Sequence, residues 1–417
     1  MGRTLCNMEK RGKIILVTGS TGFLGNAITR RLLASGYKLR LLIRKRDNQT
    51  PLQSFGREAF IKDRVLGNWF DEYLQEQQFM GADHAFVKET LYDRFLRNIE
   101  IIEGDLPSSG LGLEVKVYSK LAREVDEVFH CAAVTHFETQ GTDEHMAVNV
   151  KGTENVLRFA NCEKPKRFHY ISTAYVAGRQ DGMICEHEMV HEPLFNNEYE
   201  RSKFIAEQVV IKYAKTNDIP FTIYRPGIIV GDSRSGATGK FNNLYLFAKI
   251  LFTMKNFFTH HENEDGDDVT IRVPGDPDAA INLVPIDYVA DAIVAILKSK
   301  ESVDKIFHIT NPNPPKLSEL RDLLMPLLEI KGIDLKIERV LEQKKLNTME
   351  KLLLRQTRSY NSYLYSKLRF DGSNTRKVLT GTGIVCPAMT KELVKVLMDF
   401  AISHNWGEEN REVLQRA

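Results

Sequence analysis

Seven short runs rich in apolar and β-branched residues punctuate the first three-quarters of the chain, and helical stretches separate them. They lie at Lys13 to Thr18, Lys38 to Arg44, Asn98 to Gly104, Glu127 to Cys131, Arg167 to Thr173, Ile219 to Arg225 and Lys305 to Thr310. Strands joined through helices need crossover connections, which run right-handed and cover both faces of a parallel sheet. The rhythm therefore predicts an α/β chain built on a doubly wound parallel sheet. Two stretches interrupt it. Asp47 to Arg97 is too long for an ordinary connection and carries Phe, Trp and Leu among charges, so it is expected to contain helices. Gly231 to Pro285 starts with Gly and Ser, continues into an aromatic run and ends in an acidic loop. With the helical remainder after Asn311 it is assigned to a smaller, mostly helical C-terminal lobe. The expected division is 13–230 plus 281–312 for the sheet domain, and 231–280 plus 313–417 for the lobe.

Composition narrows the function. With 42% hydrophobic and 27% charged residues over 417 positions, the chain can bury a large core and is not a disordered or fibrous sequence. Its 57 basic and 55 acidic residues are spread along the whole length, so nothing marks it for nucleic acid. Five cysteines at 6, 131, 162, 185 and 386 are odd in number and form no CxxC pair. Neither a disulfide framework nor a zinc site is indicated, and a reducing, cytoplasmic setting fits. No uncharged apolar run approaches the ~20 residues of a spanning helix, so membrane contact is expected to be peripheral at most. The N-terminus does not read as a signal peptide, and Cys6 stands where myristoylation calls for Ser or Thr.

The most specific motif is Thr18-Gly19-Ser20-Thr21-Gly22-Phe23-Leu24-Gly25, placed between the first strand and the helix that begins near Asn26. Glycines there allow a tight turn and a close approach of backbone to a pyrophosphate, whose charge sits at the helix N-terminus. Arg44 and Arg46 close the second strand, where an NAD site would place a carboxylate on the ribose hydroxyls. A 2′-phosphate suits guanidinium groups better, so the expected cofactor is NADP(H). Arg44 also has the plainer reading of a strand-edge residue in water. A second motif, Tyr199-x-x-x-Lys203, sets phenol and ammonium one helical turn apart on a shared face. The ammonium favours the phenolate and brings a group of pKa about 10 nearer to working pH.

Together these segments resemble the extended short-chain dehydrogenase/reductase family, whose Rossmann domain binds a nicotinamide dinucleotide. The resemblance implies that Tyr199 and Lys203 form the proton-transfer pair and also touch the cofactor. It places a carbonyl-polarising hydroxyl at the end of the fifth strand, where Thr173 is the first choice and Ser172 the second. It also implies a cofactor shell comprising Asp105 and Leu106 near the adenine and Ala132 and Ala133 after the fourth strand. Pro226, Gly227 and Ile229 complete it after the sixth. Cys131 reads as a buried structural thiol instead of a nucleophile.

Within that family the chain looks like the branch of thioester reductase domains and male sterility-like fatty acyl-CoA reductases. The segments that carry this are Gly104-Asp105-Leu106 with Leu111-Gly112-Leu113, Asn149-Val150-Lys151-Gly152-Thr153, Arg225-Pro226-Gly227 with Gly231-Asp232-Ser233, and Asn282 through Val289, over roughly residues 13–312. The resemblance implies NADPH-dependent reduction of a fatty acyl or other acyl thioester, on CoA or a carrier protein, to aldehyde or alcohol. It leaves room for a homodimer. No adenylation or carrier domain is recognisable, so a free-standing enzyme is expected. A stripe from Phe241 to Phe258 offers Phe247 and Leu251 as acyl-chain contacts, with core packing the equal alternative. The acidic loop His260 to Asp268 lacks the ligand pattern of a calcium site, and no metal is expected. Asp287 is expected to cap the helix before Tyr288. Rival readings are a nucleotide-sugar epimerase or dehydratase, a hydroxysteroid or other keto-reductase, and a non-catalytic NADPH-sensing regulator.

Overall fold

The computed structural model describes residues 12–44, 57–67, 69–76, 84–137, 143–187, 193–259 and 269–408. Arg46 and the acidic loop 260–268 lie outside the described residues.

All seven expected strands form, within two residues of the expected ends: β1 Ile14–Thr18, β2 Lys38–Arg44, β3 Ile99–Gly104, β4 Glu127–His130, β5 Arg167–Ile171, β6 Phe221–Pro226 and β7 Lys305–Ile309. They make one sheet in the order β7-β6-β5-β4-β1-β2-β3. The pairings from β6 through β3 are parallel. β1, with the sequence IILVT, is buried at every position, which a central strand covered on both faces demands. The chain passes from β1 outward to β3 and then returns to β1's other side as β4. The order reverses between β1 and β4, and crevices that hold ligands open at such a reversal, beyond the strand C-termini. Thr18 and His130, which end these two strands, stand side by side in the register.

The helices that serve this region are α1 Phe23–Ala34, α2 Val115–Glu124, α3 Gly152–Ala160 and α4 Glu198–Thr216. One apolar cluster joins Leu16, Val128, Phe168 and Tyr170 of the strands to Val156 and Phe159 of α3 and Ala206 and Val210 of α4. The insertion before β3 is helical at Trp69–Glu76 and His84–Asn98, as its apolar residues foretold.

The chain divides into two compact units. The first takes the described residues up to Ser172 with 201–224 and 293–306, and the second takes 173–200, 225–292 and 307 onward. This cut differs from the expected division, because the connections leaving β5 and β6 contribute their packing to the second unit. That unit contains α5 Leu244–Thr259, the first half of α6 Ile286–Lys298, α7 Leu317–Leu327 and α8 Lys391–Ser403. It also holds two-stranded parallel pairs, Val269–Pro274 with Ile333–Glu338 and Gly182–Ile184 with Leu368–Phe370. The segment after Asn311 thus contains strands as well as the expected helices.

Candidate active site

The glycine turn has the form that its sequence demands. Gly19 sits at φ +74°, and a Cβ there would lie 2.6 Å from the Ala132 nitrogen. A Cβ on Gly25 would lie 2.0 Å from the Gly19 carbonyl oxygen. Glycine is required at both positions, by a left-handed backbone at the first and by direct overlap at the second. Gly22 precedes α1 and provides no side-chain cap, and the first turn of α1 holds no acidic residue. Its amides and the positive end of the helix are therefore open to an anion. The Ser20 hydroxyl is buried with no hydrogen-bond partner among the described residues. Thr21 completes the turn, and Phe23 and Leu24 open α1. A pyrophosphate fits this cradle and would satisfy the orphaned hydroxyl.

Around the turn the first unit holds the other expected cofactor residues. Arg44 is exposed at the end of β2, opposite Gly104 in the register. Asp105 accepts from the Ser108 hydroxyl at 2.5 Å, and Leu106 packs against the apolar cluster. Asn155 ties their loop by donating to the carbonyls of Leu106, Pro107 and Ser108. Ala132 and Ala133 are only partly buried after β4.

Lys203 is the most unusual group in this unit. It is buried on α4, where its Nζ donates to the Ile171 carbonyl at 2.5 Å and lies 4.1 Å over the Tyr170 ring. No carboxylate pairs with it among the described residues. Burial pushes its pKa down to about 7, with only the more distant Cys131 and Glu207 acting the other way. Ser172, the residue after β5, also has a buried hydroxyl without a partner among the described residues. An uncompensated cation and an orphaned hydroxyl are costly in a folded interior, and perturbed groups of this kind cluster at functional sites.

The second unit contains Thr173, Tyr199, Pro226, Gly227, Ile229, Phe247 and Leu251. Thr173 is extended and accepts from the Tyr175 amide, capping the short turn Ala174–Ala177. Tyr199 lies in the first turn of α4, one turn before Lys203. Glu200 beside it is buried and accepts from the Tyr363 hydroxyl, the Asn196 amide and the Asn196 side chain, while Asn197 caps its own amide. Gly227 is pinned, because a Cβ there would meet Asn282 Oδ1 at 2.5 Å. Ile229 lies in a short strand pair with Val284. Leu251 is buried in the apolar core of this unit, whereas Phe247 is partly buried and meets Tyr360 edge-on. Asp287 falls inside the first turn of α6 instead of before it, and accepts from the amide and hydroxyl of Ser233.

Tyr170, Glu200 and Tyr363 are not singled out by any motif in the sequence. Only contacts between distant segments reveal them. Asn149 and Asn282 stand within segments that carry the family resemblance, and Asn149 and His130, which ends β4, are both buried and hydrogen-bonded.

Several of these buried groups resist charge. Burial lowers the pKa of both His130 and His308 from 6.5 to about 3, and it lowers that of His169 as well. Below pH 6.5 the unfolded chain takes up protons at these rings that the folded chain refuses. Stability is therefore expected to fall as pH drops from about 6.5 towards 3, ahead of general carboxylate protonation. Urea midpoints measured across this range would show it, and a constant midpoint from about pH 7 to about pH 4 would contradict the neutral rings.

A doubly wound sheet, a glycine cradle at its reversal point and a Tyr-x-x-x-Lys helix define the extended short-chain dehydrogenase/reductase class of nicotinamide-dependent oxidoreductases. The chain belongs to the male sterility protein family, whose sequence profile matches residues 17–293. It is 26% identical over 402 residues to a linear gramicidin synthase protein of Brevibacillus parabrevis, covering 92% of this chain and 7% of that protein. It is 27% identical over 371 residues to probable fatty acyl-CoA reductase 4 of Arabidopsis thaliana, covering 76% of this chain and 71% of the relative. The chain spans only 28%, 27% and 26% of three further relatives from Aspergillus species. In fold it resembles the terminal R domain from the myxalamid PKS-NRPS biosynthetic pathway, with TM-score 0.71 and 24% identity over 94% of this chain and 91% of that one. It also resembles a UDP-glucuronic acid 4-epimerase from Bacillus cereus in complex with NAD, with TM-score 0.58 and 17% identity over 95% and 98% of the two chains.

Proposed function

We propose that this protein is an NADPH-dependent reductase of acyl thioesters, acting on a fatty acyl or related chain carried by CoA or a carrier protein. The observation that carries the hydride-transfer part is the buried Lys203 ammonium, without a carboxylate partner among the described residues, on the helix that also bears Tyr199. Family membership and relatives named as fatty acyl-CoA reductases support the thioester part. The sheet domain is proposed to hold the dinucleotide and the C-terminal lobe the acyl chain, with Phe247 the more accessible of its two candidate contacts.

Gly19, Ser20, Gly22 and the first turn of α1 would hold the pyrophosphate, and Arg44 the 2′-phosphate. Bound there, the reduced dinucleotide supplies a hydride to the thioester carbonyl carbon. Tyr199 gives its phenolic proton to the carbonyl oxygen as that oxygen gains charge, and Thr173, or else Ser172, donates a hydrogen bond to it. Lys203 favours the tyrosinate that remains. Breaking the C–S bond then releases the thiol and an aldehyde, with the proton returned to solvent or to the leaving sulfur. With solvent reprotonating Tyr199 and a second reduced dinucleotide replacing the spent one, a second hydride and proton would yield the alcohol.

The test incubates the protein with NADPH or NADH and a panel of acyl-CoAs, carrier-bound thioesters, aldehydes, ketones and nucleotide sugars, following cofactor absorbance. Thioester-dependent oxidation of NADPH is the expected result. Arg44→Ala should weaken NADPH by about tenfold to a hundredfold while leaving NADH alone, since a charge-assisted hydrogen bond is worth ~1.5–3 kcal/mol. Turnover of a ketone or nucleotide sugar with no thioester reduced would sink the acyl reading and leave hydride transfer standing.

A further inference from the structure

One buried imidazole stands between the cofactor cradle and the catalytic helix, and the mechanism above does not use it. His130 ends β4, fully enclosed, with Nδ1 2.7 Å from the Thr18 hydroxyl and Nε2 2.9 Å from the Thr153 hydroxyl. Thr153 hands its proton to the Asn149 carbonyl at 2.5 Å, and a carbonyl can only accept. Its oxygen is thus an acceptor towards the ring, and Nε2 carries the hydrogen. The ring is neutral, because burial holds its pKa near 3. Nδ1 is then a bare acceptor, and the Thr18 hydroxyl points its proton there. In turn the Thr18 oxygen accepts from the Ala132 amide at 3.2 Å.

The other end is equally determined. Asn149 Oδ1 accepts from the Val134 amide at 2.8 Å, which fixes the orientation of its side-chain amide. Its Nδ2 donates to the Val134 carbonyl at 3.0 Å and to the Ser202 hydroxyl at 2.8 Å. Ser202 precedes Lys203 on α4. Every hydrogen along this line therefore has one assignable place. On one side are Thr18 and Ala132, whose neighbours form the glycine cradle. On the other are Asn149 and the helix that presents Lys203.

We propose that His130 is a positioning residue with two separable duties, its Nδ1 face holding the cofactor cradle and its Nε2 face holding the catalytic helix through Thr153 and Asn149. The inference deepens the reductase reading and rests on it for the naming of cradle and helix. Each duty can be removed alone. His130→Asn keeps an acceptor near the Nδ1 position and loses the donor to Thr153. His130→Gln extends an amide to the Nε2 position, keeping that donor and losing the acceptor for Thr18. Thr18→Val and Thr153→Val cut the same two links with isosteres and leave the imidazole in place.

Hydrogen exchange of the protein without added cofactor gives the first readout. His130→Gln and Thr18→Val should raise exchange by about tenfold in residues 18–25 and 131–134 and leave 198–207 unchanged, the loss of one buried hydrogen bond being worth ~1–3 kcal/mol. His130→Asn and Thr153→Val should do the reverse. The second readout is the split between NADPH Kd, measured by fluorescence, and kcat at saturating cofactor. The first pair should weaken Kd by about tenfold with kcat kept, and the second pair should lower kcat by about tenfold with Kd kept. Exchange rising in both segments together, or in neither, for both pairs would overturn the proposal and leave His130 a plain core residue. A wild-type protein without affinity for NADPH would defeat the reductase reading, while the exchange pattern would still decide the two-sided role.

Discussion

Tyr199→Phe and Lys203→Met are each expected to lower turnover by ~10²–10⁴ while the protein stays folded, since this is the usual worth of a positioned proton donor. The two variants should part company in stability. Lys203 is a buried cation whose only direct partners among the described residues are a carbonyl and the Tyr170 ring face, and its pKa near 7 reports how poorly the interior solvates the charge. With its folded pKa depressed from 10.5, the group holds fewer protons folded than unfolded at neutral pH and so works against folding there. Methionine preserves the length of the side chain and removes the charge. Lys203→Met should therefore melt no lower than the wild type, the signature of a group retained for activity at a cost in stability. Tyr199 is only partly buried, and losing its hydroxyl should leave the melting temperature nearly unchanged. Turnover within a few-fold of wild type in either variant would remove the assigned proton-transfer pair. A large drop in melting temperature in both would make the lost turnover a folding effect.

Gly25→Ala should abolish measurable dinucleotide binding, and Gly22→Ala should not. The added Cβ at Gly25 would lie 2.0 Å from the Gly19 oxygen and 2.8 Å from its carbonyl carbon. Backbone cannot rotate away as a side chain can, so α1 would have to lift off the turn proposed to hold the pyrophosphate. At Gly22 the Cβ would meet only the same oxygen, at 3.3 Å, which small adjustments relieve. Overpacking costs ~1–3 kcal/mol, and shifting the helix N-terminus also removes its anion contacts, so a hundredfold or greater loss in Kd is expected for Gly25→Ala. Titrating cofactor fluorescence for the two variants and the wild type would check it. Equal affinity in all three would mean that the glycine turn does not hold the cofactor.

Local patterns carried much of this. β1 reads as IILVT because a central parallel strand has no solvent face, and the glycines must follow it because backbone conformation and contact at Gly19 and Gly25 admit no side chain. Helical spacing puts Tyr199 and Lys203 on one face, and the family resemblance is what marks them as the candidate pair. Other features left no local trace. Glu200 looks like any helical surface acid in sequence, yet it is buried against Tyr363, 163 residues away. Leu251 and Phe247 are alike in the aromatic stripe, and packing alone sends Leu251 into the core and leaves Phe247 partly open.

Spacing within a few residues was enough to define the order of strands and helices along the chain and the glycine turn, and with the family resemblance it named the candidate proton-transfer pair. Packing across the fold was needed to show that Lys203 is buried, that Glu200 anchors the start of its helix in hydrogen bonds, and which nitrogen of His130 carries its hydrogen. Desolvation and hydrogen-bond satisfaction are properties of the whole environment around an atom. They arise only when β1, β4, β5 and α4 come together, and no spacing along one segment encodes them.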